Sequence, residues 1–253
     1  KKEKWIKLEE KGHQLLKSPE LLEAWEKRVH RQASLLRLLG SEGTASLALV
    51  KKKFGACAHL LSGLEKKEYI SIELREIYRD PLSGETAVCE KRLNPTPEQQ
   101  EVLKKIREAV TSAQYSPFLL HGVTGSGKTE VYMTSIEEVL KQGKEALVLV
   151  PEISLTPQLI SRFRARFGDA IAILHSRLSP GERYDGWRRI ARGLVKIAVG
   201  TRSAIFAPFT RLGIIVVDEE HDASYKQEEK LRYNARDLAL VRGRMDHAVV
   251  ILG

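Results

Sequence analysis

Gly122-Val123-Thr124-Gly125-Ser126-Gly127-Lys128-Thr129 is the stretch on which the reading of this chain turns. A glycine, four residues and then Gly-Lys-Thr is the spacing of a phosphate-binding loop. Glycines allow backbone angles in which successive N–H groups point inward at an anion, and the helix that the loop opens adds partial positive charge at its N-terminus. Lys128 is then placed to pair with β- and γ-phosphate oxygens, and the Thr129 hydroxyl to ligate Mg²⁺. Gly122, Thr124, Gly125, Ser126, Gly127, Lys128 and Thr129 are the candidate ATP-binding residues.

Such a loop needs a companion strand that delivers a carboxylate to the metal. Ile214-Ile215-Val216-Val217 followed by Asp218-Glu219-Glu220-His221 supplies it. Asp218 is expected to hold Mg²⁺, and Glu219 to polarise the attacking water, since hydrolysis needs a water-positioner in line with the γ-phosphate. Around these two motifs lie short, almost wholly apolar runs at 118–120, 146–150, 171–174, 197–199, 214–217 and 249–252. Unalternating Val/Ile/Leu runs separated by helical stretches mark parallel strands covered on both faces, so 94–253 is expected to be a doubly wound α/β lobe.

Upstream the texture differs. Two prolines in Leu93-Asn94-Pro95-Thr96-Pro97 mark a boundary, placed at 93/94. Before it, Ser18-Pro19-Glu20 reads as a helix start, and Leu22, Trp25, Val29, Ala33, Leu36 and Leu39 recur at helical spacing up to Gly40. Further helices are expected over 46–52 and 56–66, then a strand from Tyr69, a turn at 80–84 and a second strand ending near Val88. Three helices and a β-hairpin describe a winged helix over residues 1–93, with the first residues as a linker. Lys51, Lys52 and Lys53 precede its third helix, where such a domain can meet a nucleic-acid backbone or simply present a solvated face.

The formal charge is +9, with 19 basic against 14 acidic residues over 1–93 and 23 against 19 in the remainder, so both parts suit a polyanionic partner. Cys57 and Cys89 have no companion pairs, which excludes a disulfide framework and a four-ligand zinc site built from this sequence. They read as small buried hydrophobes, and His59 as a packing or surface residue. The absence of a long apolar run and of a leader-like N-terminus points to a cytoplasmic protein.

A phosphate loop with Asp-Glu-x-His resembles the superfamily 2 helicases, and longer strings narrow the resemblance to the primosomal replication-restart family. These are Leu149-Val150-Pro151-Glu152-Ile153-Ser154-Leu155-Thr156-Pro157-Gln158, Leu174-His175-Ser176-Arg177-Leu178-Ser179-Pro180-Gly181-Glu182-Arg183 and Gly200-Thr201-Arg202-Ser203-Ala204-Ile205-Phe206-Ala207-Pro208. The resemblance spans nearly the whole chain. It implies a RecA-like ATP-binding lobe preceded by a winged helix, Gln99 of Pro97-Glu98-Gln99 as an adenine contact, and Thr201, Arg202 and Ser203 facing a DNA strand. It also makes 222–237 an aromatic-rich loop that couples DNA contact to hydrolysis, with Tyr225 and Tyr233 stacking on bases and Lys226, Arg232 and Arg236 meeting phosphates. Two departures stand out in that loop, Asn234 where the family commonly has histidine and Leu231 where it often has an aromatic or proline. Taken singly, Ser154, Thr156, Ser176 and Ser179 also suit plain helix capping.

What the resemblance implies for the intact protein is an ATP-dependent 3′ to 5′ DNA helicase that reloads replication at stalled forks. Its partners would be single-stranded and forked DNA, primosome proteins and single-strand-binding proteins. The chain is expected to be a fragment, its motor lobe cut at the C-terminal end after the strand at 249–252. A second lobe and a zinc-binding insert are expected in the intact protein, so that residues 1–253 bind Mg·ATP and DNA but hydrolyse poorly. Another superfamily 2 translocase, and a nucleotide-controlled protein-interaction module, remain the alternatives.

Overall fold

The computed structural model describes residues 2–76, 78, 94–123, 125–229 and 231–253. The chain divides into two compact units, Lys1–Ile77 and Tyr78–Gly253. The expected junction at 93/94 abuts residues outside the described ones, as do the expected turn at 80–84, the strand ending near Val88, and Cys89.

The first unit runs β1 (Lys2–Leu8), α1 (Glu10–Lys17), α2 (Pro19–Glu42), β2 (Thr44–Ser46), α3 (Leu47–Phe54), α4 (Ala58–Lys66) and β3 (Ile70–Glu76). Its strands form an antiparallel sheet in the order β2-β1-β3. The first residues, expected as an N-terminal linker, are corrected here, because they fold as the central strand and a helix. In Lys2-Glu3-Lys4-Trp5-Ile6-Lys7-Leu8, Ile6 and Leu8 point inward while Lys7 stays exposed. That period of two is hidden by a Lys/Glu-rich composition that reads as solvated. The described partner of β3 is accordingly β1, with Ile6 opposite Ile72. Leu35, Leu36, Leu39, Val50, Leu61, Leu64 and Ile70 close one core with Ile6 and Leu8. Helix α2 carries the expected stripe, interrupted at Val29, whose φ of −143° and ψ of 56° are not helical. Cys57 is buried in this core without a disulfide, and His59 is exposed on α4.

The second unit comprises α5 (Pro97–Ser112), β4 (Ser116–Leu119), α6 (Lys128–Lys141), β5 (Glu145–Leu149), α7 (Pro157–Phe167), β6 (Ile171–Leu174), α8 (Pro180–Ala191), β7 (Ile197–Gly200), β8 (Leu212–Val217), β9 (Lys226–Gln227), β10 (Tyr233–Asn234), α9 (Ala235–Met245) and β11 (Val249–Leu252). Six of these strands form a parallel sheet in the order β4-β11-β8-β5-β7-β6. Each of the six apolar runs read from sequence lies on one of them. Strands β5, β6, β7 and β8 are buried along their whole length. Each faces two cores, one built with residues of α5, α6 and α7 and the other with residues of α8 and α9. Fully burying one such aliphatic side chain contributes about 1.5–3 kcal/mol, which explains why these runs tolerate no alternation. Strand β4, at the end of the described sheet, alternates half-buried and exposed residues.

Helix starts set the rim. Thr96 and Gln99 form a reciprocal capping box on α5 with Pro97 in the first turn. Thr156 caps α7 through the Leu159 N–H, and Ser179 caps α8 with Glu182 completing the box. Such caps satisfy N–H groups that a helix leaves unpaired, and replacing one by alanine costs ~1 kcal/mol. At the opposite end of the sheet the buried Glu145 carboxylate accepts the Thr210 and Arg211 N–H groups at 3.1 and 2.8 Å, holding the entry to β8.

Candidate functional site

The phosphate loop joins β4 to α6, and its conformation follows from its glycines. Gly125 and Gly127 have φ of +84° and +86°, a region that disfavours a side chain. A Cβ at Gly127 would in addition sit 2.5 Å from the Gln99 amide nitrogen. Gln99 is therefore packed against the loop: its Nε2 donates to the Ser126 carbonyl at 3.0 Å while its Oε1 accepts from the Thr96 N–H at 3.0 Å. Thr96, Glu98, Gln99, Val102, Leu120, His121, Ser126, Lys128 and Val131 line a cleft of about 260 Å³. Thr124 lies outside the described residues.

Lys128, in the first turn of α6, donates to the Gly122 carbonyl at 2.8 Å and stands 3.9 Å from Glu219 Oε1. Asp218 and Glu219 follow β8. The Asp218 N–H continues the ladder to Leu149 O at 2.9 Å, and the next residue turns sharply, Glu219 taking φ of +48°. A non-glycine residue in that region is uncommon and costs of order 1 kcal/mol or more. Burial raises the Asp218 pKa, opposed by a hydrogen bond from the Tyr132 hydroxyl at 3.2 Å and by Lys128, while Glu219 adds to the rise. Tyr132, on α6, is buried, and burial together with the Asp218 charge holds its phenol protonated. The sequence reading missed Tyr132, whose apolar neighbours on α6 make it indistinguishable from a core aromatic.

The second group of candidates lies around the ends of β7 and β8. Thr201 is buried and donates its N–H to Leu174 O at 3.0 Å; Ser203 is exposed. Arg202 is half-buried and turns toward protein, donating to the carbonyls of Lys226 at 2.9 Å and Ser224 at 3.4 Å. Tyr225 requires a correction. It is 1% exposed, and its hydroxyl donates to Asp218 O at 2.6 Å and Leu149 O at 3.0 Å, so the ring is enclosed and cannot stack on a base. Only the fold shows this, because a tyrosine in a polar loop reads as exposed. Tyr233 instead presents a half-buried ring that meets exposed Phe206 edge-on, centroids 5.1 Å apart. Phe206 was not among the sequence candidates; an aromatic one turn beyond Arg202 was the available signal.

Lys226, Arg232 and Tyr233 line one open groove with Gln227, Glu228, Asn234 and Asp237. Within it Lys226 pairs with Glu228 at 2.8 Å, which raises the lysine pKa and lowers that of Glu228. Arg236 pairs with Glu220 at 3.2 Å and Asp237 at 2.9 Å. Asn234 caps α9 by accepting the Arg236 N–H at 2.9 Å, which accounts for a short amide at this place. Beyond the ends of β5, β7 and β6 a separate cleft is lined by Glu152, His175, Ser176, Arg177 and Thr201 among others. There Ser176 Oγ bonds Glu152 at 3.0 Å, whereas Thr156 and Ser179 are helix caps. Burial, then the Arg177 charge, lowers the His175 pKa.

A family model described as DEAD/DEAH box helicase matches residues 96–252. This chain belongs to that family. Its candidate site thus lies on a helicase lobe, with the phosphate loop and the Asp218-Glu219 pair inside the matched span. The replication restart protein PriA of Bacillus subtilis (strain 168) is 46% identical over 234 residues, covering 91% of this chain and 29% of that protein. PriA of Chlamydia pneumoniae is 40% identical over 242 residues, covering 94% of this chain and 32% of its own length. The chain therefore spans about three tenths of the length of these curated relatives, and the resemblance read from its motifs is borne out by them. Among solved structures, RecG bound to a three-way DNA junction is similar at 25% identity over 63% of this chain and 21% of that one, with a TM-score of 0.49. Among the described residues, no helix of this helicase chain is long and apolar enough to cross a membrane.

Proposed function

We propose that this chain binds ATP at Gly122 to Thr129 as the nucleotide-binding lobe of an ATP-dependent DNA helicase that acts in replication restart. The observation that carries the reading is the convergence of the Lys128 ammonium with Glu219, 3.9 Å apart, beside the half-buried Asp218 carboxylate. Thr129 and Asp218 are the residues that would hold Mg²⁺. Their chemistry fits it: burial makes the Asp218 charge costly, and a cation within reach offsets that cost. Bound there, Mg²⁺ supplies charge neutralisation for the β- and γ-phosphate oxygens. Lys128 then exchanges the Gly122 carbonyl for a phosphate, and Glu219 orients the attacking water. Gln99, tied to Ser126, reads the adenine from the cleft beside the loop.

DNA runs over Ser203, Arg232 and the Phe206–Tyr233 pair, with Thr201, Arg202, Lys226 and Arg236 behind or beside them. Exposed rings stack on bases irrespective of sequence, and flanking cations follow the phosphates. The whole protein translocates 3′ to 5′ on single-stranded or forked DNA and works with primosome and single-strand-binding proteins. Arginines supplied across a P-loop site contribute ~10³ or more to hydrolysis, so residues 1–253 alone are expected to bind nucleotide and turn it over slowly. Equilibrium binding of a fluorescent ATP analogue, followed by phosphate release with and without single-stranded DNA, tests both statements. Absence of nucleotide binding overturns the reading of the site, and brisk DNA-stimulated release by this chain alone overturns the slow turnover.

A further inference from the structure

The Tyr132 hydroxyl occupies the junction of three elements. The ring rises from α6, the helix that begins at Lys128. Its oxygen donates to Asp218 Oδ1 at 3.2 Å, just beyond β8. On its other side stands Gly253, where an added Cβ would lie 1.9 Å from the Tyr132 oxygen. Gly253 is itself fixed, its N–H donating to Val217 O at 2.9 Å and its carbonyl accepting from the Glu220 N–H at 2.9 Å. A phenylalanine would fill the same apolar space, so packing does not account for the hydroxyl. A buried O–H needs an acceptor, and here that acceptor is the carboxylate. The remaining hydrogen bond to that carboxylate comes from the backbone of Glu219, which cannot rotate to choose a carboxylate rotamer.

From this geometry we infer that Tyr132 is a positioning residue for Asp218, fixing the carboxylate orientation that receives the metal. The inference rests on the nucleotide-site reading above. One face of the carboxylate is held by the helix that carries Lys128 and Thr129, so the metal-ligating oxygens of Thr129 and Asp218 are set relative to each other before metal arrives. Pre-orientation of a ligand by an outer hydrogen bond typically changes metal affinity by about 10–100-fold.

The test is Tyr132→Phe in the full chain, reading binding of a fluorescent ATP analogue first in EDTA and then across a Mg²⁺ titration. Affinity in EDTA is expected to stay unchanged while the half-saturating Mg²⁺ rises about tenfold. A variant merely loosened in its core would weaken binding in both conditions, and superimposable Mg²⁺ titrations for variant and wild type overturn the inference. If Tyr132→Phe does not fold, Gly253→Ala keeps the phenol but crowds its oxygen. It is expected to raise the same Mg²⁺ requirement, and a wild-type requirement there overturns the inference equally. Failure of the site reading looks different, because then the wild-type chain itself shows no Lys128-dependent, Mg²⁺-enhanced binding.

Discussion

Two regions beyond the carboxyl ends of the parallel strands were readable as motifs, and they differ in how their side chains are held. In the phosphate loop and its acidic companion, the side chains named by the motif are those that converge: Lys128 stands within 4 Å of Glu219, and Asp218 is adjacent in the chain. In the segment from Thr201 to Arg236, several named side chains turn to the protein instead. Arg202 bonds the carbonyls of Ser224 and Lys226, Tyr225 is enclosed beneath Asp218, and Arg236 is paired twice. A site that cradles a small anion is specified by a few consecutive backbone angles, so a short string suffices. A surface that contacts an extended strand draws on residues from distant loops, and one-dimensional order does not say which of them face out.

The sharpest way to break this contrast is Lys128→Ala. Removing the ammonium is expected to weaken ATP binding by at least about 100-fold, with little change in melting temperature; unaltered affinity in an equilibrium titration would remove the phosphate site. Next in size is Glu219→Gln. It should leave nucleotide affinity within about twofold while lowering hydrolysis by about 10²–10⁴, the usual contribution of a group that manages a proton. An equal loss in binding would show that Glu219 serves the loop rather than water.

The comparison is sharpened by two tyrosines. Tyr225→Phe deletes one hydroxyl that serves two buried carbonyls, and should cost about 1–3 kcal/mol of stability in denaturant unfolding. Tyr233→Ala is expected to change stability less and to weaken single-stranded DNA binding by about 1–3 kcal/mol in an anisotropy titration. Unchanged stability in Tyr225→Phe would mean that the hydroxyl does not serve those carbonyls, and unchanged DNA affinity in Tyr233→Ala would remove its ring from the strand's path.

The smallest effect concerns charge. Because burial raises the Asp218 pKa, its ionised form costs folding stability at neutral pH. Asp218→Asn should therefore raise the melting temperature slightly at pH 7, and the gain should disappear as pH falls below the carboxylate range, where both side chains are neutral. The same variant is expected to lose Mg²⁺-dependent nucleotide affinity. A lower melting temperature at pH 7 would mean that the Tyr132 and Lys128 contacts outweigh burial.

Much of the second unit was legible because buried parallel strands leave so little compositional freedom. Ile171–Leu174 and Val249–Leu252 are strands to the residue, and Thr156 and Ser179 announce helix starts that form with those caps. The first unit was less legible. Its central strand exposes Lys2, Lys4 and Lys7, and its two buried residues, Ile6 and Leu8, are too few to outweigh them. Its partner β3 lies more than sixty residues away, beyond the reach of any window read along the chain.

The sequence by itself determined the phosphate loop, the acidic strand end and the order of strands and helices around them, because backbone angles and apolar periodicity are properties of neighbouring residues. Only the tertiary structure decided that the Lys/Glu-rich start is a central strand, that Tyr225 is enclosed and that Tyr132 reaches Asp218. Each of those outcomes depends on burial and on hydrogen bonds between residues far apart in the chain, and such contacts come into being only when the sheet has closed and its helices have packed.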